Sequence, residues 1–298
     1  MEIAMKSVSL ILHGKVEPFG SFFKMSKRRI NDYAGFQKVL NESQKIVALT
    51  GAGVSAESGI PIFRGGDGAL WRRYRALDLA TPTAFRSNPG LVWEFYNYRR
   101  TVAFHAQPNK AHTALAKYER LCNQQGREFH IVTQNVDGLH QRAGSENIVE
   151  LHGVLNKVIC TKCKHIAENL DDHICEALRG REDPSNNTSL PNIEIDDLPK
   201  CKQCGSLVRP YIIWFGEHLD PHILKTAKNL FESCDLCLVI GTSSVVYPAA
   251  AFAPLVAERG RPVAEFNLNE EPAKDDFQFH FPGLCGTTLP RALGTDNI

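Results

Sequence analysis

Five short apolar runs constrain the fold of this chain more than any other feature. They are Ile46-Val47-Ala48-Leu49, Phe129-His130-Ile131-Val132, Ile148-Val149-Glu150-Leu151, Leu236-Cys237-Leu238-Val239-Ile240 and Pro262-Val263-Ala264-Glu265-Phe266. Strands covered on both faces read this way, because they have no polar side to alternate with. Segments of helical period fall between them, at roughly 88–104, 109–125, 220–232 and 248–259. Strand and helix in alternation predict an α/β fold with a Rossmann-like, doubly wound parallel sheet. Right-handed crossovers would gather the strand carboxyl ends on one edge, where ligands bind.

The first run enters a glycine turn, Thr50-Gly51-Ala52-Gly53-Val54-Ser55-Ala56-Glu57-Ser58-Gly59. Gly51 and Gly53 allow a sharp turn and a close approach to a pyrophosphate. The helix that follows offers unpaired N–H groups and a positive dipole end. A strand, a glycine turn and a helix in that order indicate a dinucleotide site. The pattern departs from the dehydrogenase fingerprint: the third glycine is Gly59, six residues after Gly53. No strand ending in Asp or Glu follows about 20 residues later, where the chain reads Leu70-Trp71-Arg72-Arg73-Tyr74. Hydride transfer is therefore disfavoured. The glycines of Gly65-Gly66-Asp67-Gly68 suit a loop that closes over a ligand.

The rhythm breaks over about 155–211. Cys160-x-x-Cys163 and Cys201-x-x-Cys204 lie here, 37 residues apart, with a polar stretch at 182–199 between them. Two such knuckles predict one closed four-thiolate zinc site on an inserted module. Its connection is longer than the usual ribbon spacing of about 15–20 residues, so a long loop must leave and return. Cys175 reads as a bystander. Cys234-x-x-Cys237 ends inside an apolar run, so no metal or redox role is expected there.

The formal net charge of the 298 residues is +1, which gives no electrostatic case for nucleic acid as a partner. No apolar run approaches the roughly 18 residues that span a bilayer. Residues 1–30 carry Lys6, Lys15, Lys24, Lys27, Arg28 and Arg29 against Glu2 and Glu17, the balance of a mitochondrial presequence. A basic tail with no address is the plainer alternative. The catalytic domain is expected over 31–298.

Four separated motifs resemble those of the sirtuins: Gly51 through Arg64, Thr133-Gln134-Asn135-Val136-Asp137-Gly138-Leu139-His140, Leu151-His152-Gly153 and Gly241-Thr242-Ser243. They occur in the family's order, and the resemblance covers about 31–293. It implies an NAD-dependent protein lysine deacylase with one structural zinc and acyl-lysine proteins as substrates. It implies that NAD is held by Gly51, Ala52, Gly53, Ser55, Ala56, Ser58, Gly59, Pro61, Phe63, Arg64 and Trp71. Gln134, Asn135, Val136 and Asp137 would line the nicotinamide and ribose pocket. Gly241, Thr242, Ser243, Asn267, Leu268, Asn269 and Cys285 would face the adenosine half. His152 is the implied general base: the acyl carbonyl oxygen displaces nicotinamide from the ribose, and His152 then promotes attack by a ribose hydroxyl. The products would be free lysine, nicotinamide and O-acyl-ADP-ribose. The mitochondrial matrix is implied, with cytosolic and nuclear pools left open.

Tyr96 and Arg99 stand three apart on an expected helix and so share a face. An Arg fork suits a carboxylate bidentately, and a phenol adds one donor. Out of context, a solvated Arg and a half-buried Tyr would be the favoured reading. The sirtuin class that removes malonyl, succinyl and glutaryl groups carries Tyr-x-x-Arg here, which implies that Tyr96 and Arg99 read the distal carboxylate. Ile213-Trp214-Phe215-Gly216-Glu217 fits the family's peptide loop, where substrate backbone adds as a strand. The competing readings are a generic deacetylase, a mono-ADP-ribosyltransferase, a dehydrogenase and a zinc-ribbon interaction module without catalysis.

Overall fold

The computed structural model describes residues 29–61, 76–181, 192–270, 274 and 276–296. In chain order the elements are β1 (Arg29–Ile30), α1 (Tyr33–Glu42), β2 (Lys45–Thr50), α2 (Gly53–Ala56), α3 (Ala76–Leu79), α4 (Pro82–Ser87), α5 (Pro89–His105), α6 (Lys110–Gln124) and β3 (Glu128–Thr133). Then come α7 (Leu139–Arg142), β4 (Ile148–Glu150), β5 (Gly153–Cys160), β6 (Ile166–Glu168), β7 (Val208–Ile212), α8 (Pro221–Ser233), β8 (Leu236–Ile240), α9 (Phe252–Glu258), β9 (Val263–Asn267), β10 (Phe279–Pro282) and α10 (Cys285–Leu293).

The helix starts follow from local chemistry. Thr81 and Asn88 accept from the Ala84 and Leu91 amides ahead of α4 and α5, each with a proline in the first turn. The proline presets φ and lacks only an N–H that would be orphaned anyway. Asn109 caps α6 in a reciprocal box with His112.

Seven strands form one sheet in the order β1-β10-β9-β8-β2-β3-β4, every neighbouring pair parallel. The chain leaves β2 for β3 on one side and returns to pair β8 on the other. The strand order therefore reverses at β2, and a crevice opens beyond its carboxyl end, between those of β3 and β8. Two apolar layers cover the sheet. On one face Phe36, Phe266, Phe279 and Phe281 pack together, with Phe36 edge-on to the other three. On the other, Phe231 stacks on Phe252. Each such buried phenylalanine stabilises the fold by about 1.5–3 kcal/mol.

The sheet holds two strands that the five apolar runs do not announce. In β10 the buried Phe279 and Phe281 alternate with His280, which lies 3.2 Å from the Glu265 carboxylate on β9. Arg29 and Ile30 pair with Phe279 and His280, so the sheet includes two residues ahead of the expected boundary at 31. The rest of the basic leader lies outside the described residues.

A second, antiparallel sheet, β6-β5-β7, spans most of the 155–211 segment. Helix α5 packs against it. Trp93 Nε1 donates to Val208 O at 3.0 Å. Arg100, only 1% exposed, reaches Leu155 O at 2.5 Å, Asn169 Oδ1 at 2.6 Å and Asp171 O at 3.2 Å. The two terminal nitrogens of this buried guanidinium, bonded to carbonyl oxygens, tie three chain segments at once. Among the described residues no helix is long and apolar enough to cross a membrane.

Candidate active site

Two glycine turns meet at the switch point. Gly53 N donates to Gly241 O at 2.7 Å, and Gly51 N to Ile240 O at 3.0 Å. A Cβ on Gly51 would lie 2.7 Å from Thr242 Cβ, and one on Gly53 would lie 2.7 Å from Gly241 O. Gly241 has φ +57°, and a Cβ there would sit 2.3 Å from Val54 N. The missing side chains thus let the turns after β2 and β8 touch each other. Sequence reasoning gave Gly51 and Gly53 to a sharp turn and to the ligand, and not to this contact between turns. Gly59, at φ +81° with open space around it, needs its backbone conformation rather than room.

Polar groups from three strand ends fill the crevice. Gln134 Nε2 donates to Thr242 Oγ1 at 3.1 Å, and Asn267 Nδ2 to Thr242 O at 3.0 Å. Asn135 Nδ2 reaches Gly51 O at 3.0 Å and Ser55 Oγ at 3.1 Å. Ser55 in turn donates to Asp137 Oδ2 at 2.8 Å, and Leu139 N donates to Asp137 Oδ1 at 2.9 Å. Ser55 and Asp137 are buried, so they act by holding Asn135 and the turn. Behind them, Asn109 N donates to His112 Nδ1 at 3.4 Å, which leaves His112 Nε2 to donate to Ser55 Oγ. Burial pushes His112 down to about 4 and His140 well below its usual range, so both imidazoles stay neutral.

Val136 sits in the core under α5, its carbonyl taken by Leu155 N at 2.9 Å. Ala56, Pro61, Ser243, Leu268 and Asn269 are exposed around the rim, while Ala52 and Ser58 are partly covered. Cys285 heads α10, buried among core residues, and burial raises its thiol to about 12. Gly286 N in the same turn binds Glu57 Oε1 at 2.8 Å, a tie from the glycine turn to α10 that the sequence did not flag. Phe63, Arg64 and Trp71 lie outside the described residues.

His152 stands where the two sheets join. A Cβ on Gly153, at φ +79°, would lie 2.1 Å from Tyr211 O, so only glycine lets β5 and β7 close beside it. Ile213 N donates to His152 O at 2.9 Å. His152 Nδ1 lies 3.0 Å from Gln134 O. A carbonyl only accepts, so Nδ1 carries the proton and Nε2 presents the lone pair. Burial lowers the imidazole's pKa, against the raising effect of the Gln134 bond, which keeps the base form populated at neutral pH.

On α5, Tyr96 is fully buried and Arg99 half-buried. Burial raises the Tyr96 phenol to about 12, so it remains a donor. Burial also draws Arg99 below its usual range, opposed by Tyr96, by Asp137 of the β3 loop and by Tyr98. The Arg99 guanidinium lies 5.6 Å from the Phe95 ring on the same helix.

In the small sheet, Cys160, Cys163, Cys201 and Cys204 bring their sulfurs within 4.8 Å of one another. Sγ–Sγ separations of 3.4 Å (Cys160–Cys204), 3.5 Å (Cys163–Cys204) and 3.7 Å (Cys163–Cys201) are far beyond a disulfide bond. They approach the roughly 3.8 Å edge of a tetrahedron with 2.3 Å zinc–sulfur bonds. The Lys162 and Cys163 amides both point at Cys160 Sγ at 3.4 Å, as in a metal knuckle. Lys164 and Gly205, each following its knuckle's second cysteine, are both left-handed. The four thiolates fit a closed structural zinc. Cys175 packs against the module's core instead, and Cys234 and Cys237 are buried beneath the larger sheet.

The crevice fits a dinucleotide on the same terms. Among the described residues the Ala52 amide finds no acceptor, at a turn whose other amides are paired. Amides and hydroxyls from the ends of β2, β3, β8 and β9 converge on one edge. The Sir2 family model matches residues 51–248. The chain belongs to the Sir2 family. It is 56% identical over 265 residues to an NAD-dependent protein deacylase of Daphnia pulex, covering 88% of this chain and 96% of that one. It is 52% identical over 268 residues to the NAD-dependent protein deacylase sirtuin-5, mitochondrial, of Canis lupus familiaris, covering 89% and 86%. A crystal structure of a Sir2 homologue–NAD complex superposes with a TM-score of 0.77 at 42% identity, covering 90% of this Sir2 chain and 95% of that one.

Proposed function

We propose that this chain is an NAD-dependent protein lysine deacylase that removes succinyl, malonyl and glutaryl groups, yielding nicotinamide and O-acyl-ADP-ribose. The observation that carries the acyl preference is the pair on α5: a buried phenol kept protonated, one turn from the Arg99 guanidinium on the same helix. A guanidinium fork holds a carboxylate bidentately, so an acyl chain that ends in one suits the pair. An acetyl group supplies none and leaves the site's polar groups poorly matched.

Bound NAD supplies an electrophilic ribose carbon with nicotinamide as its leaving group. The chain's part is placement and proton handling. Gln134 accepts the Nδ1 proton of His152 and so aims Nε2 as the base for a ribose hydroxyl. Asn135, fixed through Ser55 and Asp137, orders the β3 loop against the glycine turn. The loop after β7 starts at the His152 carbonyl, which puts a bound peptide beside the base. The same reading takes the catalytic unit to include Arg29 and Ile30 of the sheet, ahead of the expected 31–298, with the zinc module at about 155–211 stiffening one wall. A mitochondrial address is part of the same reading, supported by the relative's name and by the basic leader.

Arg99→Met tests the acyl assignment. It keeps the aliphatic stem and deletes the fork. The ratio of kcat/KM for a succinyl-lysine peptide over its acetyl-lysine twin should fall roughly 10²-fold, the scale of a charge-assisted bidentate pair. An unchanged ratio would remove Arg99 from the acyl pocket.

A further inference from the structure

The loop after β7 does more than border the peptide. Trp214 Nε1 donates to the Tyr96 hydroxyl oxygen at 2.9 Å, across 118 residues of chain. An indole N–H is only a donor, whereas a phenol has one hydrogen and two acceptor positions. The Trp214 bond therefore occupies one lone pair and forbids the phenol hydrogen from pointing that way. Among the described residues nothing accepts the Tyr96 hydrogen, so it is left for a ligand. We infer that Trp214 is a specificity-positioning residue, whose indole N–H orients the Tyr96 phenol to donate to the distal carboxylate of the acyl chain. This rests on the carboxylate reading of Tyr96 and Arg99.

The indole is well placed to act as a fixed reference. It is 2% exposed. The Arg209 guanidinium lies over its ring at 3.6 Å, and Phe85 packs at 5.2 Å between centroids. Arg209 also grips both Glu217 oxygens, at 2.6 and 2.7 Å, and Glu217 accepts the Trp214 amide at 2.8 Å. Arg209 further reaches Ile212 O at 2.6 Å, and Phe215 N reaches Ala80 O at 2.9 Å. Ring face, backbone and flanks of Trp214 are all held before any substrate arrives. One loop thus touches the His152 carbonyl at its start and the acyl reader one residue later.

A double-mutant cycle of Tyr96→Phe and Trp214→Phe tests this, read as the ratio of kcat/KM for succinyl- over acetyl-lysine peptide. Both substrates are assayed on one preparation, so the fraction of folded protein cancels. Trp214→Phe keeps an aromatic ring under Arg209 and deletes the N–H. Tyr96→Phe should lower the ratio roughly 10- to 100-fold and Trp214→Phe roughly 3- to 10-fold, as expected for a charged and a neutral hydrogen bond. In the Tyr96→Phe background, Trp214→Phe should lower it no further. An equal drop in both backgrounds would show that Trp214 acts other than through the phenol and would overturn the inference. So would a wild-type ratio in Trp214→Phe, with the carboxylate reading intact. A wild-type ratio in Tyr96→Phe would instead remove the phenol from the reading on which the inference stands.

Discussion

His152→Asn should lower kcat roughly 10²- to 10⁴-fold, the span of a positioned general base. Asparagine can still donate an N–H toward Gln134 O, so the loop contact survives while the basic nitrogen is lost. NAD binding measured calorimetrically should stay within a few-fold of wild type, because the turns that meet at Gly53 and Gly241 do not involve the imidazole. The pH profile carries a sign. The neutral ring is the active form and its pKa is held below 6.5 by burial. Activity should therefore rise with pH through an acid limb below pH 6.5 and be flat above it, as far as His152 alone decides. A drop of less than ten-fold in the variant, or an acid limb centred above 7, would take the base role from His152.

Loss of the zinc site should be as damaging, by another route. Structural zinc is worth about 10–16 kcal/mol in small peptide modules, comparable to the whole stability of an ordinary domain. Here the small sheet has few strands and leans on α5 through Trp93 and Arg100. Cys201→Ala would leave three thiolates and an open position. The variant should retain well under one zinc per chain by elemental analysis and lose its cooperative melt. Deacylation should fall at least about 100-fold, since β7 leads directly to Ile213 and Trp214, which touch the base residue and the acyl reader. Full activity in protein shown to be metal-free would contradict a structural role.

The parallel sheet was legible because strands buried on both faces have nothing polar to hide. The succession of β2, β3, β4, β8 and β9 along the chain is written in apolar runs, most of them ending at Thr, Asn or Gly. β10 escaped because its alternation includes His280, a polar residue whose buried ring is met by the Asn269 carbonyl and by Glu265 on β9. Pairing between strands supplies that partner, and no local pattern carries it. The zinc cysteines were legible from spacing, and the Lys164 conformation was not, since lysine gives no sign of a left-handed turn. Arg99 and Arg100 are adjacent and chemically identical, yet one lies half-buried over the Phe95 ring and the other locks the module to α5. The helical period separates their faces by 100°, but only the packed fold says which face is which. Arg209 was missed for a similar reason. Its bidentate pair with Glu217 braces a loop whose role had been read from resemblance.

An acidic-acyl lysine deacylase that consumes NAD should reveal itself when the purified protein is incubated with NAD and matched succinyl- and acetyl-lysine peptides and the products are followed by mass. Free lysine peptide should form with stoichiometric nicotinamide and O-succinyl-ADP-ribose, far faster than the acetyl counterpart. Equal or reversed preference would contradict the role given to Tyr96 and Arg99, and the absence of any NAD-dependent product would contradict the enzyme itself.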